Sequence, residues 1–147
     1  MKNTLLFSFI LISFISIISC SSSNDKPIPP KASLTNTRWV LRTLNDKKIF
    51  TPEGGKEIFL TLNKDGNKAN GTGGCNNFFS TFTADGSSLK FGPVASTEMF
   101  CQDRMETESA FFKALGNTRT FKISGDNLFL SDSAKTVVAK FEVVYMN

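Results

Sequence analysis

The chain has 147 residues, of which 40% are hydrophobic and 20% charged, with a formal net charge of +4. That length suits one domain, the composition is that of a chain that folds, and so small and scattered a basic excess does not make a nucleic-acid-binding surface. Histidine is absent, which removes Ser-His-Asp and Cys-His nucleophilic systems along with the commonest metal ligand.

Lys2 precedes an apolar stretch from Leu5 to Ile18, and the leader ends in Ile17-Ile18-Ser19-Cys20. This reads as a secretory signal. The stretch is interrupted by Ser8, Ser13 and Ser16 and falls short of the roughly 20 residues that span a bilayer, so an uncleaved membrane helix is the weaker reading. The ending resembles a bacterial lipobox, whose cysteine takes a diacylglycerol as a thioether and becomes the first residue after cleavage. Lipidation is therefore expected at Cys20, and at about 0.8 kcal/mol per buried CH₂ two or three acyl chains anchor the protein. A soluble secreted protein with an incidental Cys20 is the alternative. The expected location is the bacterial cell envelope, at the outer membrane, on either its periplasmic or its surface face.

Three cysteines are an odd number for an exported chain. Lipidation of Cys20 resolves the parity and leaves Cys75 and Cys101 as a pair in an oxidising compartment, where a disulfide forms and persists. Two buried reduced thiols are the alternative.

Residues 21–33 carry three prolines and a single large aliphatic side chain, Ile28. Such a segment cannot bury a core and is expected to act as a tether. The folded domain is expected over residues 34–147. It is rich in phenylalanine: the chain has 15, of which only Phe7, Phe9 and Phe14 belong to the leader.

Short runs of β-branched and aromatic residues bounded by turn residues predict strands over 38–44, 57–62, 68–72, 77–83, 88–91, 118–124, 127–131 and 136–144. Ile58, Leu60 and Leu62 alternate with Phe59, Thr61 and Asn63, and Phe121 and Ile123 alternate with Lys122 and Ser124, the period of half-buried strands. Asp65-Gly66, Asp85-Gly86 and Gly125-Asp126 supply hairpin turns tolerant of positive φ, so neighbouring strands should be antiparallel. Between them, residues 103–115 place Met105, Glu108, Phe112 and Leu115 near one face at helical spacing, with Gly116 as the expected stop. The fold expected is mainly β: a small antiparallel barrel-like domain of about eight strands, with one α-helix lying across the sheet or capping an open end, Phe111 and Phe112 packed inward.

Three stretches carry a family likeness. They are Asn70-Gly71-Thr72-Gly73-Gly74-Cys75-Asn76-Asn77-Phe78, then Thr97-Glu98-Met99-Phe100-Cys101, then Met105, Glu108, Phe111, Phe112 and Leu115. With the opening Trp39-Val40-Leu41, they resemble the META domain of HslJ-like lipoproteins. The resemblance marks Trp39, Gly71, Gly74, Asn76, Thr97, Met99 and Glu108 as structural motif positions. The chain departs from the family at Ser80 and Phe82, where glycine and tyrosine are usual, so any role of that tyrosine hydroxyl is missing. What the resemblance implies is a β-barrel-like domain with one helix, found in envelope proteins linked to stress tolerance, antibiotic resistance, secretion and virulence, with no established enzymatic activity.

The residues themselves point the same way. Glu98, Asp103, Glu106 and Glu108 are close enough in sequence for two-carboxylate chemistry, but acids in the first turns of a helix are more simply read as solvated groups at its positive end. Asn63-Lys64-Asp65-Gly66-Asn67 has the flavour of a calcium loop without the ligand spacing or the distal Glu. Gly73 and Gly74 read as a tight turn beside the bridge, held by the Asn76 side chain; the alternative is a backbone nest that binds an anion. No catalytic residue, cofactor or metal is expected. The reading is a non-enzymatic envelope lipoprotein, a stress-tolerance or protein-interaction module, monomeric, held to the membrane by its lipid anchor, with an unidentified envelope protein as partner and no nucleic acid. A carrier of a small apolar ligand in a lipocalin-like barrel and a lysozyme-type inhibitor are the alternatives.

Overall fold

The computed structural model describes residues 32–145. The signal, the lipidation position Cys20 and the tether up to residue 31 lie outside the described residues. Ala32, inside the span expected to be tether, is buried in the core cluster.

In chain order the elements are β1 (Arg38–Leu44), β2 (Lys47–Lys48), β3 (Phe59–Asn63), β4 (Lys68–Thr72), β5 (Asn77–Asp85), β6 (Ser88–Phe91), β7 (Ala95–Ser96), α1 (Met105–Asn117), β8 (Thr120–Ser124), β9 (Asn127–Ser131) and β10 (Val137–Val143). Eight of the strands form a closed antiparallel ring in the order β1, β3, β4, β5, β6, β8, β9, β10 and back to β1. The barrel expected from the strand pattern is therefore present. Two short strands add to that pattern. β2 folds back on β1 through Asn45 and Asp46, both at positive φ, a hairpin turn built without glycine. β7 pairs with β5.

Alternation decides what fills the ring. Leu60 and Leu62 of β3, Ala69 and Gly71 of β4, Phe78 and Phe82 of β5, Leu89 of β6, and Leu128 and Leu130 of β9 are all buried. On β1, Trp39 and Leu41 point inward, and a bulge at Arg42 shifts the phase so that Leu44 is the next residue in. On the outer face Val40 pairs with Glu142 and Phe59 and is shielded beneath a polar ladder. In that ladder Arg38 reaches Glu57 at 3.0 Å and lies 4.2 Å over the Phe59 ring, while Arg42 reaches Glu142 at 2.9 Å.

The ring is weakest between β6 and β8, joined at Ser88 and Thr120 with flanking bonds from the Leu89 N–H to the Arg119 carbonyl and from the Phe121 N–H to the Ser87 carbonyl. The helix lies across the barrel end, touching β1, β6 and β10. Phe111 packs edge-on against Phe78 at 5.7 Å and against Phe141 at 6.2 Å. The buried face of α1 is Glu108, Phe111, Ala114 and Leu115. It is rotated by about one residue from the expected stripe, leaving Met105 half-exposed, while Phe112, also half-exposed, still packs inward with its ring 5.5 Å from that of Phe78. Nor does Gly116 stop the helix: it runs to Asn117, and buried Thr118 ends it by turning extended, its N–H bonding the Leu115 carbonyl and its hydroxyl the Ala114 carbonyl. The opposite barrel end is closed by residues 32–37, where the Trp39 indole donates to the Leu34 carbonyl and the Asn36 N–H to the Leu62 carbonyl.

Candidate functional site

The β4–β5 connection, Gly73-Gly74-Cys75-Asn76, sits at the helix-capped end. Gly74 takes a φ of 101°, a conformation that side chains resist, and its N–H bonds the Thr72 hydroxyl at 3.0 Å. The Gly73 N–H closes the turn on the Asn76 carbonyl at 2.8 Å. Gly73 has a second role, because a Cβ there would stand 2.6 Å from Cγ of Glu108. Its absence lets the helix carboxylate approach.

Glu108 is buried, and three donors meet it. Oε2 accepts the backbone N–H groups of Asn76 at 2.7 Å and Cys75 at 3.2 Å, and Oε1 accepts the Asn76 side-chain amide at 2.7 Å. This corrects the expectation that the acids of the helix face water. It also answers the question of an anion nest: the amides after the glycine pair do hold an anion, and it is the protein's own. Charge-assisted bonds from backbone amides are the usual compensation for a buried carboxylate.

Asn76 is the hub. Its Nδ2 donates to the Met99 carbonyl at 3.0 Å as well as to Glu108, and its Oδ1 accepts the Thr97 hydroxyl at 2.8 Å and the Met99 N–H at 2.7 Å. All four hydrogen-bonding positions of the amide are used. The Cys75–Cys101 disulfide, with Cα atoms 5.9 Å apart, fastens the other end of the same segment. Thr97, Met99 and Glu108 thus converge on Asn76, beside the Gly74 turn. The remaining motif positions act elsewhere. Trp39 fills the far end of the core, and Gly71 sits where a Cβ would collide with the Phe59 carbonyl oxygen.

Segment 97–104 is pinned on one side and open on the other. Met99 is 56% and Phe100 80% exposed, and Phe50, on the loop after β2, is 76% exposed. Arg104 links the two loops, its Nη1 reaching the Phe50 carbonyl at 3.5 Å, the outer limit of a hydrogen bond. Sequence reasoning does not single out Phe50 or Phe100, because an exposed aromatic has the same letter as a core one. A cleft of about 440 Å³ runs between residues 96–100 and α1, with Met105, Ser109 and Phe112 on its helix side.

Among the other candidate carboxylates, Glu98, Asp103 and Glu106 are exposed. The calcium-like stretch is a single 3-10 turn, Asp65–Asn67, with Gly66 and Asn67 at positive φ, serving as the β3–β4 hairpin. Among the described residues no group of three His, Cys, Asp or Glu side chains is placed to hold a metal ion, and no helix is long and apolar enough to cross a membrane.

Comparison with known proteins matches residues 32–145 to the META domain. The chain belongs to the META domain family. The HslJ-like resemblance of its Gly-Cys-Asn and Thr-x-Met-x-Cys elements is thereby supported. No curated protein matches the chain. A protein from Burkholderia xenovorans solved by NMR is 25% identical, with a TM-score of 0.61 over 77% of this chain and 85% of that one. A second NMR structure, 16% identical, superposes with a TM-score of 0.59 over 76% of this chain and 95% of its own, and shows the shared fold. In META domain terms, the Gly-Cys-Asn turn, the Thr-x-Met-x-Cys segment and the helix glutamate form one hydrogen-bonded and disulfide-locked unit.

Proposed function

We propose that this META domain protein is a non-catalytic protein-interaction module of the bacterial envelope, tethered by a lipid on Cys20 and serving envelope integrity under stress. One observation carries the reading: Met99 and Phe100 stand in solvent on a segment that a disulfide and Asn76 immobilise. Large apolar side chains exposed on a fixed frame lose little conformational entropy on docking and are the usual anchors of an interface. Phe50 is exposed as well, on the loop whose backbone Arg104 joins to this segment. The chain enters the domain beside Leu62, at the β3–β4 turn end, while this segment lies at the helix-capped end. The segment and the first described residues therefore lie at opposite barrel ends, so a tether reaching the domain at those residues leaves the segment open to a protein partner.

The carrier reading draws less support, since Trp39, Leu60, Phe78, Phe111, Leu128 and Phe141 fill the barrel interior. The test is photocrosslinking in the native host, with a benzophenone amino acid at position 100 or at position 65 on the opposite turn. A defined protein adduct from position 100 alone, lost on adding Phe50→Ser, supports the module. Equal adducts from both positions, or none, refute it. The anchor is checked separately by the mass of membrane-extracted protein, which should carry diacylglyceryl at Cys20, and by release of a Cys20→Ser variant into the soluble fraction.

A further inference from the structure

We propose that the cleft between β7 and α1 binds an extended, basic segment of a partner polypeptide, which adds as a strand to the open edge of β7. This deepens the protein-interaction reading and rests on it.

The edge comes first. β7 pairs with β5 through Phe79–Ala95 and Phe78–Ser96, and the Thr97 N–H continues the ladder to the Asn77 carbonyl at 3.0 Å. In an antiparallel ladder, backbone groups point alternately toward and away from the neighbouring strand. With Thr97 bonding inward, the N–H and C=O of Ser96 and Glu98 point away from β5, and no described residue pairs with β7 on that side. Each strand of the closed ring, by contrast, has neighbours on both sides. Residues 95–100 are all exposed, so this edge is open to a second backbone.

The cleft beside it has the chemistry of a side-chain pocket. Met99, Phe100, Met105 and Phe112 supply apolar walls, with Met105, Ser109 and Phe112 spaced along one helix face. Its charged lining residues are Glu98 and Glu108, with no base among them. Glu108 is committed to Asn76 and Cys75, which leaves Glu98 as the exposed charge. On a chain whose formal charge is +4, an edge carrying a carboxylate and no cation selects a basic strand with alternate apolar side chains.

Two other occupants fit worse. The chain's own residues 21–31 contain Pro27, Pro29 and Pro30, which lack the N–H groups that strand addition uses. A second copy pairing β7 with β7 would bring two Glu98 carboxylates into one short ladder.

The experiment uses the full-length chain in non-ionic detergent and labelled octapeptides that alternate Lys or Glu with Val, Leu, Ile or Phe. Fluorescence anisotropy should find Lys peptides binding and their Glu counterparts at least tenfold weaker. Glu98→Lys should invert that order. N-methylation of alternate peptide amides should weaken binding at least tenfold with the side chains unchanged. Hydrogen exchange should show the Ser96 and Glu98 amides unprotected in the free chain and protected with peptide. No binding at millimolar peptide, indifference to N-methylation, or indifference to Glu98→Lys overturns the proposal. So does protection of Ser96 without peptide, independent of concentration if residues 21–31 cover it and rising with concentration if a second copy does. An in-cell adduct from position 100 combined with any of these leaves the interaction module standing and removes the strand-addition mode alone.

Discussion

The buried carboxylate of Glu108 holds the backbone N–H of Asn76 and the Asn76 side-chain amide, each at 2.7 Å. Through this pair the helix dictates the shape of the β4–β5 turn, and through the remaining bonds of Asn76 it positions Thr97 and Met99. A carboxylate is required because every group facing Glu108 is a donor. In Glu108→Gln one amide N–H₂ must face a donor, and Asn76 cannot flip to accommodate it without presenting its own N–H₂ to the Met99 N–H. We expect a loss of about 1.5–3 kcal/mol in urea unfolding, with the m-value unchanged. A loss under about 0.5 kcal/mol would mean that the carboxylate is dispensable.

Two glycines should respond in opposite directions. A Cβ on Gly71 would meet the Phe59 carbonyl oxygen and the Phe78 ring, neither of which can withdraw: one is backbone of the facing strand, the other is locked against Phe111. Gly71→Ala should cost about 3 kcal/mol or more. Gly116 lies within α1, and nothing stands within 4 Å of the place an alanine methyl would occupy there. Gly116→Ala should therefore stabilise by about 0.5–1 kcal/mol. Paired thermal melts decide both.

The strands are legible because their signals are local. Arg38–Leu44, Lys68–Thr72, Ser88–Phe91 and Asn127–Ser131 begin and end where alternation and turn residues place them. The helix face departs from its expected stripe by about one residue, with Phe111 and Ala114 buried in place of Met105 and Phe112. Glu108 is a buried acid rather than a solvated one because its partners, Cys75 and Asn76, come from 33 and 32 residues away. Burial of a charge depends on donors brought up by the fold, and spacing along one helix carries no record of them. The β1–β2 hairpin is hidden for a different reason. Asn45 and Asp46 adopt positive φ without a glycine to announce it. The exposure of Phe50 and Phe100 is equally invisible in a chain with so many phenylalanines in its core.

Tyr145 is the sole tyrosine, so its titration is read cleanly by ultraviolet absorbance. Its hydroxyl donates to Asp126 at 2.9 Å, and that hydrogen bond raises the phenol above its ordinary value, with desolvation and the carboxylate charge adding in the same direction. A raised folded-state value means that the fold favours the protonated phenol. The stabilisation is thus complete below the ordinary tyrosine range and is lost as pH rises through the folded value. Asp126→Asn should bring the titration back down toward that of a free tyrosine. An unmoved midpoint would show that Asp126 is not its cause.

The disulfide should contribute stability without being required for the fold. Cys75 and Cys101 are 26 residues apart, and closing a loop of that length removes unfolded-state entropy corresponding to roughly 3–4 kcal/mol. Yet the same two segments are joined by the bonds from Asn76 to Thr97 and Met99, and Glu108 secures the turn from the helix side. The doubly substituted Cys75→Ala, Cys101→Ala chain should therefore remain folded, with its Trp39 emission still that of a buried indole, while its unfolding midpoint falls. Hydrogen exchange should locate the loosening in residues 97–104 and leave β8–β10 unchanged. Loss of the buried Trp39 signal under native conditions would instead make the bridge a condition of folding, and would place Asn76 and Glu108 downstream of it.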